Sequence, residues 1–221
     1  MKLRAIVTGA TGMVGEGVLL ECLQNDNVEA VLIINRRPSG FVHPKLTEII
    51  HTDFYDLEPI AAQLIGYNAC FFCLGISSVG MKEDAFYKNT YTLTLHVAGI
   101  LSKQNSDMTF CYVSGAGTDS TEKGKRMWAR VKGKTENDLM KLPFKAVFNF
   151  RPAFMKATEG QKNTLALYKY LAWLYPLLSI IIPNATSTIA QVGRAMICVS
   201  IKGYTKNTLE VPDIKAAAAS L

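Results

Sequence analysis

Thr8-Gly9-Ala10-Thr11-Gly12-Met13-Val14-Gly15 carries the strongest chemical signal in the sequence. An apolar run from Leu3 to Thr8 leads into it, and Val14, Val18, Leu19, Cys22 and Leu23 follow at helical spacing. Glycines between a strand and a helix serve a tight turn, a close approach of backbone to an anion, and close packing of the helix on the sheet. The start of the helix adds unpaired N–H groups that favour negative charge. The spacing is GxxGxxG rather than GxGxxG. The chemistry it predicts is a backbone cradle for the pyrophosphate of a dinucleotide, built from Gly9, Thr11, Gly12 and Gly15.

Further residues extend that site. Asn35-Arg36-Arg37-Pro38 follows a second apolar run, where such folds meet the adenosine ribose. No acidic residue stands there to take a free ribose hydroxyl. Arg36 and Arg37 can fork onto a 2′-phosphate, which predicts NADP, with NAD as the alternative. Asp53-Phe54 could meet the amino edge and the flank of adenine, or Asp53 could simply hold a turn. Cys73-Leu74-Gly75 ends a further run, and Gly75 would let the chain pass close to a ribose. Asn89 could bond across to a loop or to the sheet. Ser114 ends another run at the sheet edge where ligands bind. Trp128 and Lys132 are one helical turn apart on one face, and Lys132 could bond a nicotinamide ribose.

These residues need an alternating framework. Strands are expected at Leu3–Thr8, Val28–Ile34, Leu46–Ile50, Ala69–Leu74, Met108–Val113 and Phe144–Phe150. Helices are expected after the glycine loop, from Asp56 as a cap through Leu64, from Glu83 to about Lys103, and from roughly Arg126 to Met140. Nearly continuous apolar strands alternating with helices imply a mostly parallel sheet covered on both faces, a three-layer α/β Rossmann-like sandwich. No linker divides the chain, so one domain over 1–221 is expected. From about residue 155 a small C-terminal elaboration follows, facing substrate or partner. It holds a helix near Ser187–Val199 and a strand near Thr208–Val211. No chemistry is evident in the alanine-rich tail.

The chain resembles the short-chain dehydrogenase/reductase superfamily, and is similar to its atypical HTATIP2-like and nucleoside-diphosphate-sugar epimerase-like subgroup. The resemblance runs from Lys2 to about Phe154, and Val192-Gly193-Arg194-Ala195-Met196 is similar to a helix near that subgroup's C-terminus. It implies an NAD(P)-dependent oxidoreductase or epimerase-like activity. Gly9, Gly12 and Gly15 match the pyrophosphate loop, and Met13 and Val14 complete the helix start. Asp53 matches the residue that touches adenine, and Leu74-Gly75 the segment beside the adenosine ribose. Ser114 matches the catalytic serine, Lys132 the lysine of YxxxK, and Arg151-Pro152-Ala153 the segment flanking nicotinamide. The departure is Trp128, which stands where the family places its tyrosine. That tyrosine exchanges a proton with the substrate oxygen, whereas an indole N–H only donates a hydrogen bond. Tyr87, Tyr91 and Tyr168 are the candidate replacements. Relatives associate through the helices that here hold Asn89 and Lys132, so a homo-oligomer is one expectation.

Composition narrows the alternatives. Of 221 residues 49% are hydrophobic and 19% charged, which excludes global disorder and a coiled coil. The net charge of +6 favours anionic partners without choosing one. Basic residues form no long stripe with interleaved aromatics, so no nucleic-acid partner is expected. Five scattered cysteines do not form a disulfide framework, and Cys70 and Cys73 in one strand should point to opposite faces, so no metal site is expected. The start does not read as a signal peptide, so none is expected, and the apolar stretch 164–182 is interrupted by Lys169 and Pro176, so a packed helix rather than a membrane span is expected, with a cytoplasmic location. Two functions remain: reduction of a small carbonyl compound by a non-standard proton relay, or a non-catalytic dinucleotide-binding regulator or scaffold.

Overall fold

The computed structural model describes residues 2–164 and 175–221. Tyr168, and most of the apolar stretch 164–182 expected to be a packed helix, lie outside the described residues. Seven strands form one sheet: β1 (Leu3–Thr8), β2 (Val28–Asn35), β3 (Leu46–Ile50), β4 (Ala69–Phe72), β5 (Thr109–Val113), β6 (Ala146–Arg151) and, last in the chain, β9 (Thr208–Glu210). Their order is β3-β2-β1-β4-β5-β6-β9, and every pair is parallel. The order reverses at β1, so the crevice beyond the carboxyl ends of β1 and β4 is the switch point where such sheets bind ligands.

Alternation within strands explains the two cores. Ala5 and Val7 of β1 and Ala69 and Phe71 of β4 join one buried cluster with α1 (Met13–Gln24). Ile6, Cys70 and Phe72 point into the other, beneath α3 (Leu93–Gln104) and α4 (Met127–Leu139). A strand buried on both faces needs apolar residues at every position, hence the unbroken runs. Cys70 and Cys73 do pack on opposite sides of the sheet, and all five cysteines are free thiols.

Several boundaries differ from expectation. β4 stops at Phe72, which frees Cys73 and Leu74 to line the crevice. The helix expected from Glu83 consists of α2 (Glu83–Tyr87), one π turn (Lys88–Thr92) and α3. A π turn inserts a residue into the ladder and often marks a functional site. The segment expected after Asp56 is 3-10 rather than α (Glu58–Leu64), with Asp56 Oδ1 accepting from the Glu58 N–H at 3.2 Å. β7 (Phe154–Lys156) and β8 (Thr186–Thr188) form a separate two-stranded parallel sheet that periodicity did not indicate. Between them lies α5 (Tyr175–Ile181), and after β8 comes α6 (Ile189–Lys202). The alanine-rich tail is α7 (Val211–Ala219), started by a reciprocal cap between Glu210 and Asp213 and a proline in its first turn. Among the described residues no helix is long and apolar enough to cross a membrane.

Candidate functional site

A crevice of about 430 Å³ opens at the switch point. Gly9, Thr11 and Gly12 form its floor. Gly9 sits at φ +72°, and a Cβ there would lie 2.8 Å from the Cys73 carbonyl oxygen. Gly15 does not line the crevice. Its role is packing: a Cβ at Gly15 would lie 2.1 Å from the Gly9 carbonyl oxygen. Met13 is likewise buried and Val14 half-buried in the core beneath the loop. The start of α1 has no side-chain cap, since Gly12 occupies the cap position. Its first N–H groups are therefore available to an anion. Thr8 Oγ1, buried at the end of β1, has no partner among the described residues.

Gly15→Ala is expected to abolish dinucleotide binding and cost about 3 kcal/mol or more in stability, because the new methyl meets backbone that cannot move aside. Calorimetric titration of the variant together with its melting curve checks both parts.

Arg36 and Arg37 border the crevice from the end of β2. Both are exposed, and neither has an ion-pair or hydrogen-bond partner among the described residues. The turn that carries them is held from below by Glu48 on β3, a residue sequence reasoning missed. Its Oε1 accepts from Asn35 Nδ2 and from the Ser39 N–H, both at 2.8 Å.

Asp53 and Phe54 line the same crevice. Asp53 Oδ1 accepts from the Tyr55 N–H at 2.8 Å, so one oxygen holds the turn. The Phe54 ring is 6% exposed and belongs mainly to the core, leaving only an edge to face a ligand. Leu74 and Gly75 complete the wall with Asn89. Asn89 does not bond across to a loop or to the sheet: its Nδ2 donates to the Ala85 carbonyl one turn back.

The other predicted residues meet elsewhere. Ser114 follows β5, is 3% exposed, and donates from Oγ to Glu136 Oε1. Its Oγ also lies 3.1 Å from the Phe150 carbonyl oxygen. Lys132 donates to the Ser114 carbonyl. Burial pushes the Lys132 ammonium below its ordinary pKa, and the nearby Glu136 carboxylate opposes that shift. Arg151 Nε and Nη2 grip Glu136 at 3.0 and 2.5 Å, while Nη1 reaches Glu210 at 3.2 Å. Glu136 is 1% exposed, so the α4 face that brings Lys132 to this end also buries the carboxylate joining Ser114 to Arg151. Glu136 escaped sequence reasoning because its surroundings, Lys134-Thr135-Glu136-Asn137-Asp138, read as a solvated face.

Trp128 stands on the first turn of α4, with its indole beside Gly117: a Cβ there would lie 3.4 Å from Trp128 Cη2. The Tyr91 hydroxyl is already engaged by α4. It donates to Asp138 at 2.8 Å, and burial together with that bond pushes its pKa up to about 12. Tyr87 packs against Tyr91, with ring centroids 4.6 Å apart. The C-terminal region is tied to the glycine loop. Glu16 of α1, fully buried, accepts from the Lys162 and Asn163 N–H groups at 2.6 and 2.7 Å. Gln161 Nε2 donates to the Met13 carbonyl at 2.6 Å.

Residues 5–125 match the model of the NAD dependent epimerase/dehydratase family. The chain belongs to that family. It is 26% identical over 172 residues to Protein FMP52, mitochondrial, of Debaryomyces hansenii, across 76% of this chain and 74% of that protein. It is also 26% identical over 151 residues to Protein HTATIP2 of Rattus norvegicus, across 67% of this chain and 61% of the rat protein. Among solved structures it is similar to a UDP-N-acetylglucosamine 4-epimerase from Methanobrevibacter ruminantium M1, with a TM-score of 0.66 and 18% identity over 94% of this chain and 76% of that one. That likeness shows the Rossmann-like fold. The family binds an NAD(P) dinucleotide, and the uncapped helix start, the glycine cradle and the unpartnered Thr8 hydroxyl fit one.

Proposed function

We propose that the protein binds NADP(H) in the switch-point crevice and acts as a dinucleotide-dependent regulator or scaffold, without the proton relay of its family. The observation that carries this reading is Trp128 at the position that resembles the family's tyrosine, together with a Ser114 hydroxyl committed to Glu136. Gly9, Thr11 and Gly12 would hold the pyrophosphate through backbone N–H groups, and Gly15 would keep α1 close enough for its N-terminus to act. Arg36 and Arg37 would pair with the 2′-phosphate. Asp53 would offer its second carboxylate oxygen to adenine, and Leu74-Gly75 would pass beside the ribose. When bound, the cofactor supplies a hydride donor or acceptor. On the protein side, Ser114, Lys132 and Arg151 serve chiefly to hold β5, β6 and α4 together at that end.

A regulator needs a face for its partner. Leu177, Ile180 and Ile181 of α5 are exposed, and no residue of that helix is buried. A protein partner or a second copy of the chain is therefore part of the proposal.

A second reading keeps catalysis. Burial lowers the Lys132 pKa, which makes its ammonium a better proton donor to a substrate oxygen. The activity would be reduction of a small carbonyl compound. Its rate would fall as pH rises through the lowered Lys132 pKa, because the donor loses its proton there.

NADPH consumption across a panel of aldehydes and ketones separates the readings. The wild-type protein is expected to bind NADPH yet consume none above the protein-free rate. Trp128→Tyr is expected to consume NADPH at least about tenfold faster than the protein-free rate, since a positioned acid contributes roughly 100-fold or more. Wild-type turnover abolished by Lys132→Ala would overturn the regulator reading in favour of the reductase.

A further inference from the structure

We infer that Glu48, which lies outside both the glycine and the arginine motifs, is a positioning residue that makes the Arg36–Arg37 turn selective for a 2′-phosphate. The inference rests on the NADP(H) reading above and assigns its selectivity to a residue beneath the ligand.

One carboxylate oxygen accepts two donors that bracket the arginines. Asn35 Nδ2 lies on one side and the Ser39 N–H on the other, both at 2.8 Å. Arg36, Arg37 and Pro38 are all that lies between them. Bonds to an ionised acceptor are the stronger kind. Asn35 is 3% exposed, and its carbonyl accepts from the His51 N–H at 2.8 Å, so the near end of the turn is fixed in the sheet. Pro38 restricts φ within the bridge and brings no N–H of its own. The β2–β3 register sets Ile33 opposite Glu48, which fixes where the carboxylate emerges.

Glu48 is satisfied by neutral donors and forms no ion pair with Arg36 or Arg37 among the described residues. Both guanidinium groups therefore stay available to a ligand at the crevice rim. A free turn would have to be ordered on binding, at an entropic cost that the clamp removes beforehand. The same carboxylate also adds negative potential to the field felt by a phosphate and so repels it. Geometry and charge thus act in opposite directions, and two substitutions separate them. Glu48→Gln keeps a carbonyl oxygen for both donors and removes the charge. Glu48→Ala removes the clamp.

The experiment is a fluorescence titration of wild-type, Glu48→Gln and Glu48→Ala protein with NADPH and NADH at one ionic strength, with melting curves alongside. Glu48→Ala is expected to weaken NADPH binding about tenfold and to change NADH binding less than about twofold. Glu48→Gln is expected to bind NADPH as tightly as wild type or up to about threefold tighter. Equal loss of both cofactors in Glu48→Ala would reduce Glu48 to a structural residue and overturn the inference. So would a Glu48→Gln variant as weak for NADPH as Glu48→Ala. If the wild type shows no preference for NADPH, the NADP(H) reading itself fails and the selectivity assigned to Glu48 falls with it. A preserved preference in Glu48→Ala defeats only the inference.

Discussion

Replacing Arg36 and Arg37 together with alanine is expected to weaken NADPH binding roughly 100-fold while changing NADH binding less than about threefold. Hydrogen bonds to charged groups contribute about 1.5–3 kcal/mol each, and the exposure of both side chains holds the pair near the lower end. Two such contacts correspond to the stated factor, at about 1.4 kcal/mol per tenfold. NADH has no 2′-phosphate, so it loses only the general attraction of two cations. Titrations at two ionic strengths check the origin: the wild-type preference for NADPH should shrink as salt rises, and that of the double variant should not. An equal loss of both cofactors would mean that the arginines shape the crevice rather than read the phosphate.

The largest effect on stability is expected at Glu136. Glu136→Ala would leave Arg151, only 12% exposed, without its bidentate partner, and would remove the acceptor of the buried Ser114 hydroxyl. Breaking a buried pair from one side costs about 3–5 kcal/mol, and the contact that Arg151 keeps with the half-exposed Glu210 places the loss near the lower end. Set against a total stability of about 5–15 kcal/mol, that is a large fraction. For a chain of this size it should lower the melting temperature by roughly 10 °C. Adding Arg151→Met in the Glu136→Leu background should recover part of the loss, since an apolar pair of similar volume leaves no charge behind. If Glu136→Ala melts within about 2 °C of wild type, the cluster is solvated and does not hold β6 to α4.

What the sequence reveals here is what local patterns control. β1 and β3 begin and end as their apolar runs imply, and the glycine loop joins β1 to α1 as its spacing requires. The all-parallel sheet follows from strands buried on both faces. The crevice gathers Gly9, Thr11, Gly12, Arg36, Arg37, Asp53, Phe54, Leu74 and Gly75, because the turns at the carboxyl ends of neighbouring parallel strands converge there. Glu48 and Glu136 were hidden for a common reason. Each looks like a solvent-facing acid in its own stretch, and each owes its role to partners set by strand register or by a helix crossing a sheet. β7 and β8 are three residues each and are separated by residues 157–185, too short and too distant for periodicity to register. The helix in the alanine tail was within reach: Glu210-Val211-Pro212-Asp213 carries a cap, a first-turn proline and an acidic first turn.

The account stands on one central claim, that the switch-point crevice holds NADP(H) through the glycine cradle and the arginine turn. The most direct test is a fluorescence titration of purified, cofactor-stripped wild-type protein with NADPH and NADH side by side. Saturable NADPH binding, at least about tenfold tighter than NADH, is the predicted result. Folded protein that binds neither cofactor, or binds both alike, would contradict it.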